Sequence, residues 1–242
     1  MGLPGHELAS GETPVDLLGL AARRSRNSLV VTLLGALLAA STVLCTAVGP
    51  VWTGPDDVLD VLRAKLLGTV VEVDQTVEVI VWDVRLPRVL MAIAVGAGLA
   101  VCGAALQAMV RNMLADPYLL GINSGASSGA AATILFGVTL GLGEHALSAS
   151  AFLGALAASL LVFVVARASG RITSIRLLLA GVAVGYALSA LTSFLIFASG
   201  SAEGARSVMF WLLGSLGLAR WDALLAVTAV VLVGAAGYLT IT

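Results

Sequence analysis

Six long apolar runs without a charged residue limit the folds open to this chain more than any other feature. They cover residues 28–49, 89–110, 118–141, 146–166, 177–198 and 223–240. A helix needs about 20 apolar residues to cross the hydrocarbon core of a bilayer. Only 11% of the 242 residues are charged, whereas about a quarter are charged in a water-soluble domain. The pattern therefore predicts an all-α, polytopic transmembrane helical bundle with about six spans.

Arginines around these runs indicate an orientation. Basic residues are enriched on the cytoplasmic side, and those before the first span usually weigh most. We therefore expect residues 1–27 to form a cytoplasmic N-terminal tail and residues 28–242 to form a transmembrane domain. The predicted cytoplasmic arginines are Arg23, Arg24, Arg26, Arg111, Arg167, Arg171 and Arg176.

The sizeable segment between spans is residues 50–88, which this orientation places outside. Residues 54–57 read Gly-Pro-Asp-Asp, which is typical of a helix start because acidic side chains favour the positive end of the helix dipole. Apolar residues at helical spacing in 58–66 predict an amphipathic helix along the outer interface. Residues 70–81 fit either a helix or a strand. The apolar piece 208–219 is too short to span and indicates a re-entrant or interfacial helix.

Small residues within the runs predict close helix packing. Glycines that recur every four residues allow two helix backbones to approach each other. Such spacing occurs at Gly121, Gly125 and Gly129, and again at Gly181 and Gly185. Cys45 and Cys102 also lie inside apolar runs, and we expect them to be small apolar packing residues.

Several chemistries are absent from the sequence. Lys65 is the sole lysine and no phosphate-binding loop is present, so the chain is not expected to hydrolyse ATP itself. The predicted spans lack the ionisable residues of ion-coupled carriers. His6 and His145 are far apart, and we expect no metal site. An intramembrane hydrolase would need Ser124 or Ser127 beside a base, but no histidine lies in a later run.

Two stretches carry ordered motifs that resemble a known family. Residues 81–127 contain R-x-P-R, V-G-A-x-L-A, G-A-x-L-Q, R-N-x-L-A-D-P-x-L-L-G and S-G-A-S, and residues 210–221 read FWLLGSLGLARW. Together they resemble permease subunits of the iron-siderophore and vitamin B12 (FecCD/BtuC-like) type II ABC importer family. Met113 stands where that family usually has proline, but Pro117 remains and predicts a break in the helix. The family fold has ten spans, so the resemblance covers its N-terminal portion only.

The resemblance implies a permease subunit that moves a ferric siderophore, or heme or cobalamin, across the bacterial cytoplasmic membrane. Its implied partners are a second permease subunit, identical or different, a cytoplasmic ABC ATPase dimer, an external substrate-binding protein and membrane lipid, without nucleic acid. ATP would bind the ATPase, and this chain would hold no cofactor, no metal and no catalytic residue. The chain would transport nothing by itself. The alternative is a structural membrane scaffold without transport activity.

The resemblance also assigns roles to residues of the second span and its ends. Arg85 and Arg88 of R-x-P-R would lie at the outer face and pair with acidic residues of the binding protein, or else anchor the span in lipid headgroups. Gln107 would face the bundle or pathway, or make an interhelical hydrogen bond. The cytoplasmic turn to the third span would consist of Arg111, Asn112, Asp116 and Pro117.

Later polar and aromatic residues have two possible roles each. Asn123, Ser124 and Ser127 would line the translocation path or pack the start of the third span. Phe210 and Trp211 would form part of an outer gate or belong to an interfacial aromatic belt.

Overall fold

The structure, a computed structural model, describes residues 20–69, 73–113, 115–138, 141–168, 170–171 and 173–241. Within these ranges the chain is helical and contains no strand, so the predicted all-α fold is confirmed. The α-helices are α1 (Leu20–Ala47), α2 (Pro55–Leu67), α3 (Gln75–Val79), α4 (Leu86–Val110), α5 (Ile122–Phe136), α6 (Ala146–Ala168), α7 (Ser174–Ser199), α8 (Ala202–Leu213) and α9 (Trp221–Ile241). A π-helical turn, Ile80–Arg85, joins α3 to α4. Short 3-10 turns, Pro117–Leu120 and Gly143–His145, precede α5 and α6.

Five helical segments of the described chain are long and apolar enough to cross a membrane. They are Arg24–Ala47, Gln75–Val110, Gly143–Ala168, Ser174–Ser199 and Trp221–Thr240. Each coincides with a predicted apolar run, which confirms a polytopic helical bundle.

The predicted third span, residues 118–141, is wrong in length. A 3-10 turn occupies its start, and α5 ends at Gly137, whose backbone is left-handed with φ +66°. The 15 residues of α5 extend about 22 Å, less than the roughly 30 Å of a bilayer core. The helix is nevertheless well buried, because α6 and α7 pack along it. α5 is therefore an interior helix of the bundle.

Two other predicted boundaries also shift. α1 begins at Leu20, inside the expected polar tail, and residues 1–19 lie outside the described residues. The second span does not start at residue 89, because a continuous helix already begins at Gln75. This helix settles residues 75–81 as helical, whereas residues 70–72 lie outside the described ranges.

The short helix predicted at 208–219 begins earlier than expected. α8 starts at Ala202 because the Ser201 hydroxyl accepts a hydrogen bond from the Gly204 backbone N–H at 3.0 Å. It ends at Leu213, where Gly214 has φ +75°. The two cysteines also depart from expectation: both are free and exposed within the chain rather than packed in its core.

Contacts divide the chain into two units, of which the first runs to Val89. Its core is the cluster of Ala47, Val58, Val61 and Val81, so the apolar face of α2 packs against the end of α1 and the π-helical turn. α2 begins as predicted, with the Gly54 N–H donating to the Asp57 carboxylate at 3.0 Å. An ion pair between Lys65 Nζ and Glu78 Oε1, 2.5 Å apart, joins α2 to α3.

The second unit, from Leu90 onward, centres on α5, α6 and α7. At one end of these helices lies a buried apolar cluster of Leu106, Val110, Ala115, Val162, Ala166, Leu177, Ala180 and Val184. The Ser174 hydroxyl donates to the Val110 carbonyl at 2.8 Å, which brings the end of α4 beside the start of α7. The end of α4 and the start of α7 therefore lie on one side of this unit.

Candidate functional site

The tightest helix contact in the second unit joins α5 to α6 through glycines. A Cβ atom on Gly125 would lie 2.5 Å from the Ala158 Cβ and would overlap the Gly154 carbonyl. A Cβ on Gly129 would overlap the Ser150 carbonyl. The two helices therefore meet backbone to backbone, as small-residue faces permit in membranes.

Gly121 serves a second contact, between the start of α5 and α7. Its φ of +69° is a left-handed conformation that glycine adopts without a side-chain clash. A Cβ there would lie 3.2 Å from the Gly185 nitrogen and 3.3 Å from the Gly181 carbonyl oxygen. The structure thus places all three predicted packing glycines at backbone contacts.

Sequence reasoning missed the α6 partner of this glycine face. Ser150, Gly154 and Ala158 recur at four-residue steps, which is the same small-residue signal that marked α5. The sequence contains many such steps, and spacing alone does not state which pairs of faces meet.

Hydroxyl groups join α5 to α7. Ser124 Oγ lies 3.1 Å from Ser189 Oγ, and Ser128 Oγ lies 2.9 Å from Thr192 Oγ1. The Ser127 hydroxyl instead donates to the Asn123 carbonyl at 2.8 Å, within its own helix. These hydrogen bonds contribute to helix packing. For Ser124 and Ser127 the sequence also allowed a role in lining the translocation path. Ser189 and Thr192 were not predicted, although both are polar positions within an apolar run.

A cavity of about 460 Å³ opens beside the turn that follows α4. It is lined by Leu99, Gly103, Gln107, Met113, Ala115, Asp116 and Pro117. The Asp116 carboxylate accepts the Tyr118 backbone N–H at 2.8 Å, and Pro117 begins the 3-10 turn. The predicted break after the second span is therefore present, and Gln107 lines a cavity.

Two other residues of this region lie on its exposed face. Arg111 has a left-handed backbone with φ +53° and an exposed side chain. Asn123 is also exposed, and its Nδ2 donates to the Tyr118 hydroxyl at 3.1 Å. Together with Asn112, whose backbone N–H donates to the Gln107 carbonyl at 3.2 Å, these residues shape the turn.

Arg85 is the predicted site residue whose position differs most from expectation. The sequence placed its guanidinium at an exposed outer face, but only 8% of the residue is exposed. Its Nη1 donates to the carbonyl oxygens of Thr46 and Ala47 at 3.0 and 2.9 Å and to the Thr53 hydroxyl at 2.8 Å. Its Nη2 donates to the Val51 carbonyl. The expectation of exposure is wrong for Arg85, because neutral oxygens at the end of α1 and in the following turn occupy its donors.

The remaining predicted residues lie at the surface of their units. Arg88, three residues after Arg85, is exposed. On α8, Phe210 is 66% exposed and Trp211 is half-buried. An exposed cation and an exposed aromatic side chain are compatible with contact to either a partner protein or lipid headgroups.

The arrangement supplies packing faces, a cavity and cations. No group of three or more His, Cys, Asp or Glu side chains able to hold a metal ion occurs among the residues that the structure describes. The hydroxyls of Ser124 and Ser128 bond to hydroxyls of α7, and the Ser127 hydroxyl bonds to a backbone carbonyl. These features define a multi-pass, all-helical membrane protein built on close helix contacts.

The chain belongs to the FecCD transport family, whose model matches residues 23–242. It is 43% identical over 164 residues to the cobalamin import system permease protein BtuC of Halobacterium salinarum, an alignment that covers 68% of this chain and 43% of the relative. It is 33% identical over 189 residues to the molybdate import system permease protein MolB of Haemophilus influenzae, covering 78% and 54% respectively. The chain thus spans about half the length of the curated relatives it matches.

A solved structure supports the same fold. It is described as an inward-facing conformation of a metal-chelate type ABC transporter, and it superposes with a TM-score of 0.65 at 31% identity. The match covers 82% of this chain and 57% of the other.

Proposed function

We propose that the protein is a membrane-spanning permease subunit of an ABC importer, driven by ATP hydrolysis on a separate subunit. The family match across residues 23–242 carries this proposal. Five helical segments suited to crossing a membrane and relatives named as import permeases support it. The second permease subunit, the cytoplasmic ATPase dimer and the external binding protein belong to the same proposal, as does a cytoplasmic N-terminus.

The cargo we propose is a metal chelate, with cobalamin first among the candidates. A relative at 43% identity is named for cobalamin, and the structural neighbour is described as a metal-chelate type transporter. Ferric siderophores and heme share the bulky, metal-centred character of cobalamin and remain within the proposal. The named relatives give no specific support to a siderophore.

Transport in proteoliposomes tests the function directly. The protein is reconstituted with its ATPase and supplied with binding protein and labelled cobalamin, ferric siderophore, heme or molybdate in separate samples. We expect the loaded binding protein to stimulate ATP hydrolysis and one metal chelate to accumulate inside. A stable complex with neither stimulation nor uptake would instead support a structural scaffold.

Arg88 is the residue we propose for docking the binding protein. It is exposed beside the end of the outer segment, and a guanidinium fork suits the carboxylates of an acidic partner. Because pairs at the rim of an interface contribute up to about 1 kcal/mol, loss of the pair in Arg88→Glu should weaken docking by up to roughly fivefold, with the larger loss at low salt.

The matched control is Arg63→Glu on α2, since Arg63 is exposed and forms a local ion pair with Asp60 at 3.3 Å. Docking is measured by surface plasmon resonance on the protein in nanodiscs. An affinity of Arg88→Glu equal to that of Arg63→Glu at every salt concentration would reject the docking role.

A further inference from the structure

The Arg85 clasp consists of the Arg85 guanidinium and its four acceptors at Thr46, Ala47, Val51 and Thr53. The last carbonyl groups of a helix have no partner within the helix, and the helix dipole leaves partial negative charge there. A guanidinium can bond to these carbonyls and balance the partial negative charge, because it combines a fixed positive charge with five N–H donors in one plane. Arg85 therefore caps the C-terminus of α1.

The clasp also holds the turn that follows α1. Thr53 accepts a hydrogen bond from Arg85 and donates its own hydroxyl to the Ala47 carbonyl at 3.1 Å. The Val51 carbonyl accepts from the other nitrogen of the guanidinium. Between these two residues stands Trp52, which is 68% exposed. One buried side chain thus determines the path of an exposed turn.

Gly49 leaves the space that the guanidinium occupies. A Cβ atom at this position would lie 2.7 Å from Arg85 Cζ and 3.0 Å from Nε. The guanidinium has little freedom to withdraw, because its donors are bound to oxygens on two segments. An uncharged side chain at residue 49 would therefore compete with the guanidinium for space and leave the net charge unchanged.

We propose that Arg85 is a positioning residue for docking: it joins the end of α1 and the 48–53 turn to the helix that carries Arg88, and so fixes the outer surface that meets the binding protein. This inference rests on the docking function proposed above. In it, Arg88 contacts the partner and Arg85 acts through the turn and the helix. The Arg85 guanidinium is buried, and both of its terminal nitrogens donate to oxygens of α1 and the turn.

The test compares charge-neutral disruptions of the clasp in the protein reconstituted in nanodiscs. Gly49→Ala and Arg85→Lys both preserve net charge, and lysine lacks the planar fork that reaches four acceptors. Gly35→Ala on α1 is the matched control, since nothing lies within 4 Å of a Cβ there. Hydrogen exchange of the 44–53 segment and binding-protein affinity across a salt series are measured on each variant.

We expect exchange of the 44–53 segment to accelerate by roughly tenfold or more in Gly49→Ala and Arg85→Lys, as loss of one hydrogen bond to a charged group implies. Affinity should fall in both variants while the slope of affinity against salt stays at the wild-type value. Arg88→Gln should lower that slope, because it removes a charge that contacts the partner. Gly35→Ala should match the wild type in both measurements.

Wild-type exchange in Gly49→Ala would overturn the clasp, and accelerated exchange with unchanged affinity would overturn its positioning role. Because Gly49→Ala retains the arginine, these outcomes stand even where Arg85→Lys does not fold. An unchanged affinity in Arg88→Gln would refute the docking function alone, while fast exchange in Gly49→Ala would still support the clasp.

Discussion

Replacing Gly125 by alanine should destabilise the bundle, although alanine is the better helix former. The added Cβ would lie 2.5 Å from Ala158 Cβ, whereas ordinary contacts begin at 3.4 Å. It would also strike the Gly154 carbonyl, which is backbone and cannot rotate away. α5 and α6 must therefore separate by about 1 Å, a gap that forfeits a quarter to a half of the dispersion energy across the contact.

The expected magnitude follows from two opposing effects. Overpacking of a tight contact costs about 1–3 kcal/mol, and the change from glycine to alanine within a helix gains about 1 kcal/mol. Gly96→Ala on α4 is the matched control, because nothing lies within 4 Å of a Cβ at that position. The stability difference between the two variants isolates the contact, and we expect about 1–3 kcal/mol.

The assay is equilibrium unfolding in mixed micelles with a rising mole fraction of SDS. Unfolding is followed by circular dichroism at 222 nm. The difference corresponds to a factor of about 5 to 150 between the unfolding constants of the two variants. Equal stability of Gly125→Ala and Gly96→Ala would refute the reasoning, since the backbone contact would then not limit the approach of α5 to α6.

Two further predictions concern polar contacts. The Ser128 and Thr192 hydroxyls join α5 to α7, so the effects of Ser128→Ala and Thr192→Val on stability should be coupled by about 0.6 kcal/mol. The coupling is measured in a double-mutant cycle by the same unfolding assay. Strictly additive effects would contradict an interhelical hydrogen bond. The hydrogen bond and negative charge of Glu78 raise the pKa of Lys65 above 10.5, so the ion pair should stabilise the protein fully below pH 10.5 and less as pH rises through the folded-state pKa. Between neutral and strongly alkaline buffer, the thermal unfolding of wild type and Glu78→Gln should therefore converge as pH rises, and a constant difference across that range would count against the pair.

Much of the fold could be predicted from composition and local spacing. Apolar runs place a chain in lipid, and a backbone in lipid must satisfy its own hydrogen bonds, which requires helices. The helix break at Pro117 and the start of α2 at Pro55 follow from local rules in the same way. These properties depend on residues within a few positions of one another.

Contacts between distant segments decided what local rules could not. The run at 118–141 is apolar enough to span, but Gly137 ends α5 early and α6 and α7 enclose it. Small-residue spacing marked Gly125 as a packing residue, and only the folded chain paired it with Gly154.

The arginines of R-x-P-R show the division between sequence and tertiary structure most clearly. The family resemblance implied the same exposed role for Arg85 and Arg88. The acceptors of Arg85 lie at Thr46 and Thr53, more than 30 positions earlier in the chain, and no local pattern connects them to it. The sequence by itself determined a multi-pass helical membrane protein with two arginines, Arg85 and Arg88, before an apolar run. Only tertiary structure, which brought the carbonyls at the end of α1 to Arg85 and left Arg88 exposed, separated a structural clasp from a candidate docking residue.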